Sequence, residues 1–268
     1  MSNKKTKKNS NYQTAKRAAA ANVKKKNKLS KDAIIGIVCL AVILIATAIA
    51  ITFCALNNRS KDGSDACEYF TTRSTEERDI KYVKMTVKDH GDIVLLLDAT
   101  TAPVTVENFV KLVNEGFYNG LTFHRIIENF MIQGGDPKAD GTGGNTDENG
   151  NEINIAGEFS NNGINNDISH KRGVISMARS GNPYYPALAY NTASSQFFIC
   201  NADAPHLDGD YAAFGYVISG MSVVDSITAE GMKYTSEKEN GAISNKSKQP
   251  VITSITEISQ KEAMKYAK

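Results

Sequence analysis

A guanidinium and a carboxamide stand close together in an otherwise greasy stretch, Phe123-His124-Arg125-Ile126-Ile127-Glu128-Asn129-Phe130-Met131-Ile132-Gln133-Gly134-Gly135-Asp136. Arg125 and Gln133 can both donate hydrogen bonds, and Phe, Met and Ile on either side offer apolar contact. Strand alternation places Leu121, Phe123, Arg125 and Ile127 on one side and Thr122, His124 and Ile126 on the other. Neither side is cleanly apolar. A strand that only filled a core would separate its oil from its charge, so the mixture suggests a surface built for contact. A plainer reading fits the same pattern: an arginine lying over apolar neighbours and paired with Glu128 or Asp136.

Several chemistries lack their parts. There is no G-x-S-x-G or H-E-x-x-H for hydrolysis. The breaker-rich run Gly134 to Asn151 contains neither a P-loop nor a G-x-G-x-x-G between strand and helix, which argues against nucleotide binding. His90, His124, His170 and His206 are scattered singly. Cys39, Cys54, Cys67 and Cys200 form no CxxC, so neither a metal site nor a disulfide framework is expected.

The elements that must position Arg125 and Gln133 follow from periodicity. Tyr82–Lys88 and Ile93–Asp98 flank His90-Gly91-Asp92 as a hairpin, with Val83, Met85 and Val87 alternating against Lys84, Thr86 and Lys88. Pro103 opens a helix in which Val106, Phe109, Val110 and Val113 share a face, and Gly116 stops it. The Arg125 stretch supplies two strands. Further strands fall at Gly173–Ala178, Gln196–Cys200, Ala213–Ile218 and Val251–Ile258, and a second helix at Met221–Ile227. Arg179 to Ser195, with its Pro183-Tyr184-Tyr185-Pro186, is a loop. Many short strands, two helices and no βαβ order predict a mainly β fold, a closed antiparallel β-barrel capped by two α-helices.

The 268 residues are 41% hydrophobic and 22% charged, ordinary values for one domain with an addition. The addition is at the amino terminus. Eleven of the 31 basic residues precede Asp32, leaving 20 against 29 acids in the remainder. Such a tail alone would suit nucleic acid, but residues 33–56 carry no charge and are long enough, at 1.5 Å per residue, to cross a membrane core of about 30 Å. Residues 1–32 therefore read as a disordered cytoplasmic tail and 33–56 as an uncleaved single transmembrane helix. Lys24, Lys25, Lys26, Lys28 and Lys31 keep the first end inside, so everything after Leu56 is placed outside the cell membrane. Residues 57–79 read as a polar linker, 80–260 as the folded domain and 261–268 as a short tail. The membrane is thus an expected partner and nucleic acid is not.

With these blocks in view, the chain from about Ile80 to Ile258 resembles a cyclophilin-type peptidyl-prolyl cis-trans isomerase. Phe123 to Ile127 and Phe130 to Asp136 are similar to the family signature. Gly141-Thr142-Gly143-Gly144, Ile175-Ser176-Met177-Ala178, Ser195-Gln196-Phe197-Phe198-Ile199 and Leu207-Asp208-Gly209 continue it in order. The resemblance implies an eight-stranded antiparallel barrel with a helix over each open end and a substrate groove on its outer face. It implies rotation about X-Pro bonds without a cofactor, Arg125 stabilising the twisted amide and Gln133 orienting it. Phe130, Met131, Phe198 and Leu207 would hold the proline ring, and Ala178 would leave room for the peptide backbone. His206 and Tyr211 fill positions where many members have tryptophan and histidine. Loss of the indole, in a chain with no Trp, weakens the expectation of tight cyclosporin binding more than that of catalysis. Core packing is the better assignment for Phe123 and Phe197. Tyr184, Tyr185 and Tyr190, in a loop longer than the usual family version, either extend the groove or belong to a plain surface insertion. The clients would be proline-containing segments of extracytoplasmic proteins. The alternative is a proline-peptide-binding module or holdase with little turnover, although binding alone would not need Arg125.

Overall fold

The computed structural model describes residues 78–182, 184–235 and 240–266. The expected tail, membrane span and almost all of the linker lie outside them. Among the described residues no helix is long and apolar enough to cross a membrane.

Eight strands form one antiparallel sheet: β1 (Ile80–Val87), β2 (Gly91–Asp98), β3 (Phe123–Ile127), β4 (Met131–Gly134), β5 (Val174–Met177), β6 (Phe197–Cys200), β7 (Ala213–Ser219) and β8 (Ile252–Ile258). Their spatial order is β3-β4-β6-β5-β7-β2-β1-β8. The sheet curls until its two end strands meet, but the expected closed barrel is completed by bridges rather than a full ladder. Thr122 pairs with Val251, Phe123 N donates to Pro250 O at 2.9 Å, and Ile252 N donates to Leu121 O at 2.8 Å. Pro250 has no N–H and cannot extend the pairing. Along the rest of β3 a loop stands in for a strand, with Ile126 N donating to Gly241 O and Ile243 N to His124 O. On the outer edge of β8, Ile255 N donates to the side-chain oxygen of Asn119.

The first helix, α1 (Pro103–Asn114), starts on proline, whose missing N–H is not needed there. Ala102 supplies no side-chain cap. Instead the buried Glu158 carboxylate accepts from Val104 N at 3.1 Å and Thr105 N at 2.8 Å. A carboxylate on a helix amino terminus contributes roughly 1 kcal/mol. α1 buries Val106, Phe109, Leu112 and Val113. α2 (Met221–Gly231) runs past Ile227 and buries Met221, Val224 and Ile227. Both faces feed one core inside the barrel, centred on Phe109, Tyr118, Phe123, Phe197 and Phe214. Phe109 lies 5.0 Å from Tyr118, 5.6 Å from Phe197 and 5.2 Å from Phe214, centroid to centroid.

Two expectations change. Residues 260–266 form a third helix, α3 (Gln260–Tyr266), where a tail was expected after 260. It covers the barrel's outer face, where Ala263, Met264 and Tyr266 pack on Tyr82, Val94, Leu96 and Tyr216. In β3 the simple alternation fails. Phe123 faces Gly134 and Arg125 faces Gln133, so two steps of β3 answer one step of β4. This bulge at His124 turns Phe123 and Ile126 both into the core and leaves Arg125 and Ile127 facing out.

Candidate active site

The pairing of four adjacent strands lays Arg125, Gln133, Phe198 and Ser176 in a row, each the cross-strand partner of the next. Arg125 is fixed from two sides. Its Nε donates to Asn240 O at 2.8 Å and its Nη1 to Gln133 Oε1 at 3.0 Å. The expected alternative pairing with Glu128 or Asp136 does not occur: among the described residues no carboxylate pairs with Arg125. Burial lowers its pKa from the ordinary arginine value, with Tyr211 opposing, and arginine stays cationic at any physiological pH.

Gln133 passes the network on. Its Nε2 donates to Gln196 Oε1 at 2.9 Å, and Gln196 Nε2 donates to Gly143 O at 2.7 Å and Gly141 O at 3.1 Å. The loop offering these carbonyls is wound around Asp136, whose carboxylate accepts from Lys138 N, Asp140 N and Gly141 N at 2.6–3.0 Å. Gly143 is required here, since a Cβ would collide with Asp136 Oδ1.

Beside Arg125 opens a cleft of about 160 Å³. Of the nine residues predicted for the site, eight line it: Arg125, Gln133, Phe130, Met131, Ala178, Phe198, Leu207 and Tyr211. A cavity below the roughly 300 Å³ of drug-sized pockets suits one side-chain ring. His206 does not line it. It is exposed and packs on the back of Phe130, centroids 5.2 Å apart. Phe198 stands edge-on to Tyr211 at 5.9 Å and is stacked on His170 at 6.0 Å.

His170 is held in turn by Asp208 Oδ1 at 2.9 Å on Nδ1 and by Ser176 Oγ at 3.0 Å on Nε2. Asp, His and Ser thus follow one another as in a hydrolase triad. Ser176 is 0% and His170 1% exposed, so the set meets no substrate and serves to brace Phe198.

The sequence reading missed two residues. Gln196 joins Gln133 to the glycine loop, and Arg179 lines both this cleft and a polar neighbour of about 200 Å³ that also contains Glu152, Thr142 and Ser194. A polar residue heading the apolar run Phe197–Cys200 was a signal for Gln196; a loop residue such as Arg179 gave none. Tyr190 does not extend the groove. It is half-buried and meets Phe159 edge-on at 5.1 Å, whereas Tyr184 and Tyr185 are exposed.

Two buried histidines make stability depend on pH. Burial lowers the pKa of His124, with Asp136 and Asp140 opposing and Arg125 reinforcing. Burial also lowers that of His170, with Asp208 opposing. Each binds its proton less readily folded than unfolded, so the unfolded state takes up more protons below its pKa of about 6.5. Stability is full above that value and falls as pH drops toward the folded values, by at most about 1.4 kcal/mol per pH unit per histidine. Urea midpoints should therefore be lower at pH about 5.5 than at about 7.5, and less so for His124→Asn. A midpoint that holds or rises on acidification would contradict this.

The site agrees with what the chain resembles. Residues 82–257 match the family described as "Cyclophilin type peptidyl-prolyl cis-trans isomerase/CLD". A peptidyl-prolyl cis-trans isomerase of Helicobacter pylori is 43% identical over 155 residues, 57% of this chain and 84% of its own. A probable peptidyl-prolyl cis-trans isomerase of Brucella suis is 41% identical over 177 residues, 62% and 78% respectively. Among solved structures, a cyclophilin-type isomerase of Cryptosporidium parvum superposes with a TM-score of 0.55 at 27% identity, covering 68% of this chain and 99% of the other. The same protein crystallised in the presence of the dipeptide Ala-Pro gives 0.53 at 28% identity, covering 67% and 99%. An eight-stranded sheet that sets a fixed arginine, without a carboxylate partner among the described residues, beside a ring-sized cleft walled by Phe130, Met131, Phe198 and Leu207, and a family match over residues 82–257, place this chain in the cyclophilin-type peptidyl-prolyl cis-trans isomerase family, as an enzyme of that class.

Proposed function

We propose that the cleft takes the proline ring of an X-Pro segment between Phe130, Met131, Phe198 and Leu207, with Ala178 and Tyr211 as flanking walls and Arg125 aimed at the amide nitrogen. A planar amide resists rotation because nitrogen shares its lone pair with the carbonyl, a barrier of about 18–20 kcal/mol. Rotation breaks no bond. An enzyme needs only to bind the twisted amide better than either planar form. When conjugation is lost the nitrogen becomes an acceptor, and a guanidinium N–H placed there strengthens its bond only in the transition state. One observation carries this reading: Arg125 spends two of its five N–H groups on Asn240 O and Gln133 Oε1, without a carboxylate partner among the described residues. Its orientation is fixed and its charge is left for the substrate. Metal and cofactor have no part in this scheme.

The uncharged run 33–56 and the lysines before it support a single membrane anchor, with the amino terminus cytoplasmic and the isomerase domain assisting proteins on the outer side of the cell membrane. The Ala-Pro dipeptide used with the Cryptosporidium protein supports proline-containing segments as the substrate class. Cyclosporin is expected to bind weakly, because His206 gives an imidazole behind Phe130 where many members have an indole.

Cis-trans exchange of an Ala-Pro peptide, followed on the peptide's own NMR signals with a catalytic amount of the full chain, tests the proposal. Faster exchange is the expected result. A chain that binds the peptide and leaves its exchange rate unchanged is a proline-peptide holder instead.

A further inference from the structure

Four arginines fall among the described residues, and they divide into two kinds. Arg78 pairs with Asp98 at 2.6 Å and Arg172 with Asp225 at 2.8 Å. Arg125 and Arg179 have no carboxylate partner among the described residues, and both line the ring-sized cleft. The lining of that cleft contains no acid at all.

Arg179 is nevertheless held firmly. Its guanidinium carbon lies 4.6 Å from the ring centroid of Tyr211, 5.4 Å from that of Tyr190 and 5.5 Å from that of Phe159. Nε donates to Asp210 O at 2.9 Å and Nη1 to Ser180 O at 3.0 Å. The carboxylate of Asp210, the residue whose carbonyl holds Nε, accepts from Asn161 instead. Aromatic faces and carbonyl oxygens fix a cation in place while neutralising little of its charge. Three of its N–H groups remain for a ligand. Tyr190, a residue of the long loop, acts on the groove through this cage.

We propose that Arg179 determines specificity by selecting a carboxylate side chain, Asp or Glu, on a residue flanking the proline. The inference rests on the reading of the cleft as the proline site. Two cations and no acid around the ring favour an anionic neighbour. The adjoining polar cleft has Glu152 in its lining, so the preference for acid is confined to the residues next to the proline.

The test uses the full chain and two peptide sets, Ala-Xaa-Pro-Ala and Ala-Ala-Pro-Xaa, with Xaa as Glu, Ala or Lys. Calorimetry reads affinity and NMR reads catalysed exchange. In one of the sets Glu should bind about fivefold more tightly than Lys, the scale of one partly exposed ion pair. Arg179→Gln should bring the ratio to about one and Arg179→Lys should restore part of it. In the wild type the ratio should shrink in about 0.5 M salt, a reading that does not depend on any variant folding. Equal affinities for Glu and Lys in both sets, or a preference that survives in Arg179→Gln, would overturn the proposal. Because affinity is measured apart from exchange, the outcome stands whether or not the peptides are turned over, and a failure of turnover counts against the isomerase mechanism alone.

Discussion

Arg125→Ala is expected to lower kcat for an X-Pro peptide by about 10²–10³-fold, with peptide affinity changed by less than about threefold. The two numbers separate because the guanidinium gains its hydrogen bond only when the amide nitrogen has lost conjugation. In the planar ground states that nitrogen is no acceptor, so little binding is lost with the side chain. Arg125→Lys should recover only a small part. Lysine can place a charge, but its three donors radiate from one rotatable nitrogen and cannot reproduce the planar fork that reaches Asn240 O from Nε and Gln133 Oε1 from Nη1. Gln133→Ala should cost less, about tenfold, since Asn240 O still holds Nε. Exchange NMR with saturating peptide gives kcat and calorimetry gives affinity. A variant that loses affinity in proportion to rate would make Arg125 a binding group and leave the transition state without its donor.

The second large effect separates two neighbouring phenylalanines. Phe197 and Phe198 are 0% and 4% exposed, nearly the same, but β6 turns them to opposite faces. Phe197 meets Phe109, Tyr118 and Phe123 inside the barrel at 5.6–6.2 Å. Phe197→Ala should destabilise the fold by about 3–5 kcal/mol, because a barrel core closes poorly over the cavity. Phe198 floors an open cleft, so Phe198→Ala leaves less of a sealed void and should appear mainly as a KM raised by about tenfold or more. Urea unfolding beside peptide kinetics on both variants decides it. If Phe198→Ala proves as unstable as Phe197→Ala with unchanged KM, Phe198 belongs to the core and the cleft loses its floor.

β1 and the two long helices were readable because each has a period, and β2, β5, β6 and β7 because each is a short apolar run between turn residues. In β1, Val83, Met85 and Val87 are buried as their alternation implies. The run Ile93 to Leu97 held a further message. Five consecutive apolar residues in a strand require cover on both faces, and α3 provides the outer one. Seven residues with charges among them are too short to announce that helix by periodicity. Of the site, Arg125 and Gln133 stood out by their charge and polarity among apolar neighbours, and the other six cleft residues were legible only through family resemblance. Strict alternation put Phe123 beside Arg125, and only the bulge at His124 separates core from groove. A bulge with no glycine in it leaves no mark in residue types, and Phe123-His124-Arg125 has none. Arg179 was invisible for a different reason: its cage is assembled from residues far apart in sequence, Phe159, Tyr190 and Tyr211.

The coverage of the sheet's two end strands bears on the company this enzyme keeps. Extended, proline-bearing segments are the kind of chain that adds itself to any unpaired strand, and an isomerase that presented one would risk co-aggregating with its own substrates. Here β3 is bridged by Gly241 to Ile243 and by Pro250 to Ile252, and the Asn119 side chain occupies an outward amide of β8. Substrate is left a face of side chains to bind and fewer free backbone groups at the bridged ends of the sheet. A segment with fewer strand edges to pair with has fewer bonds to break before it leaves.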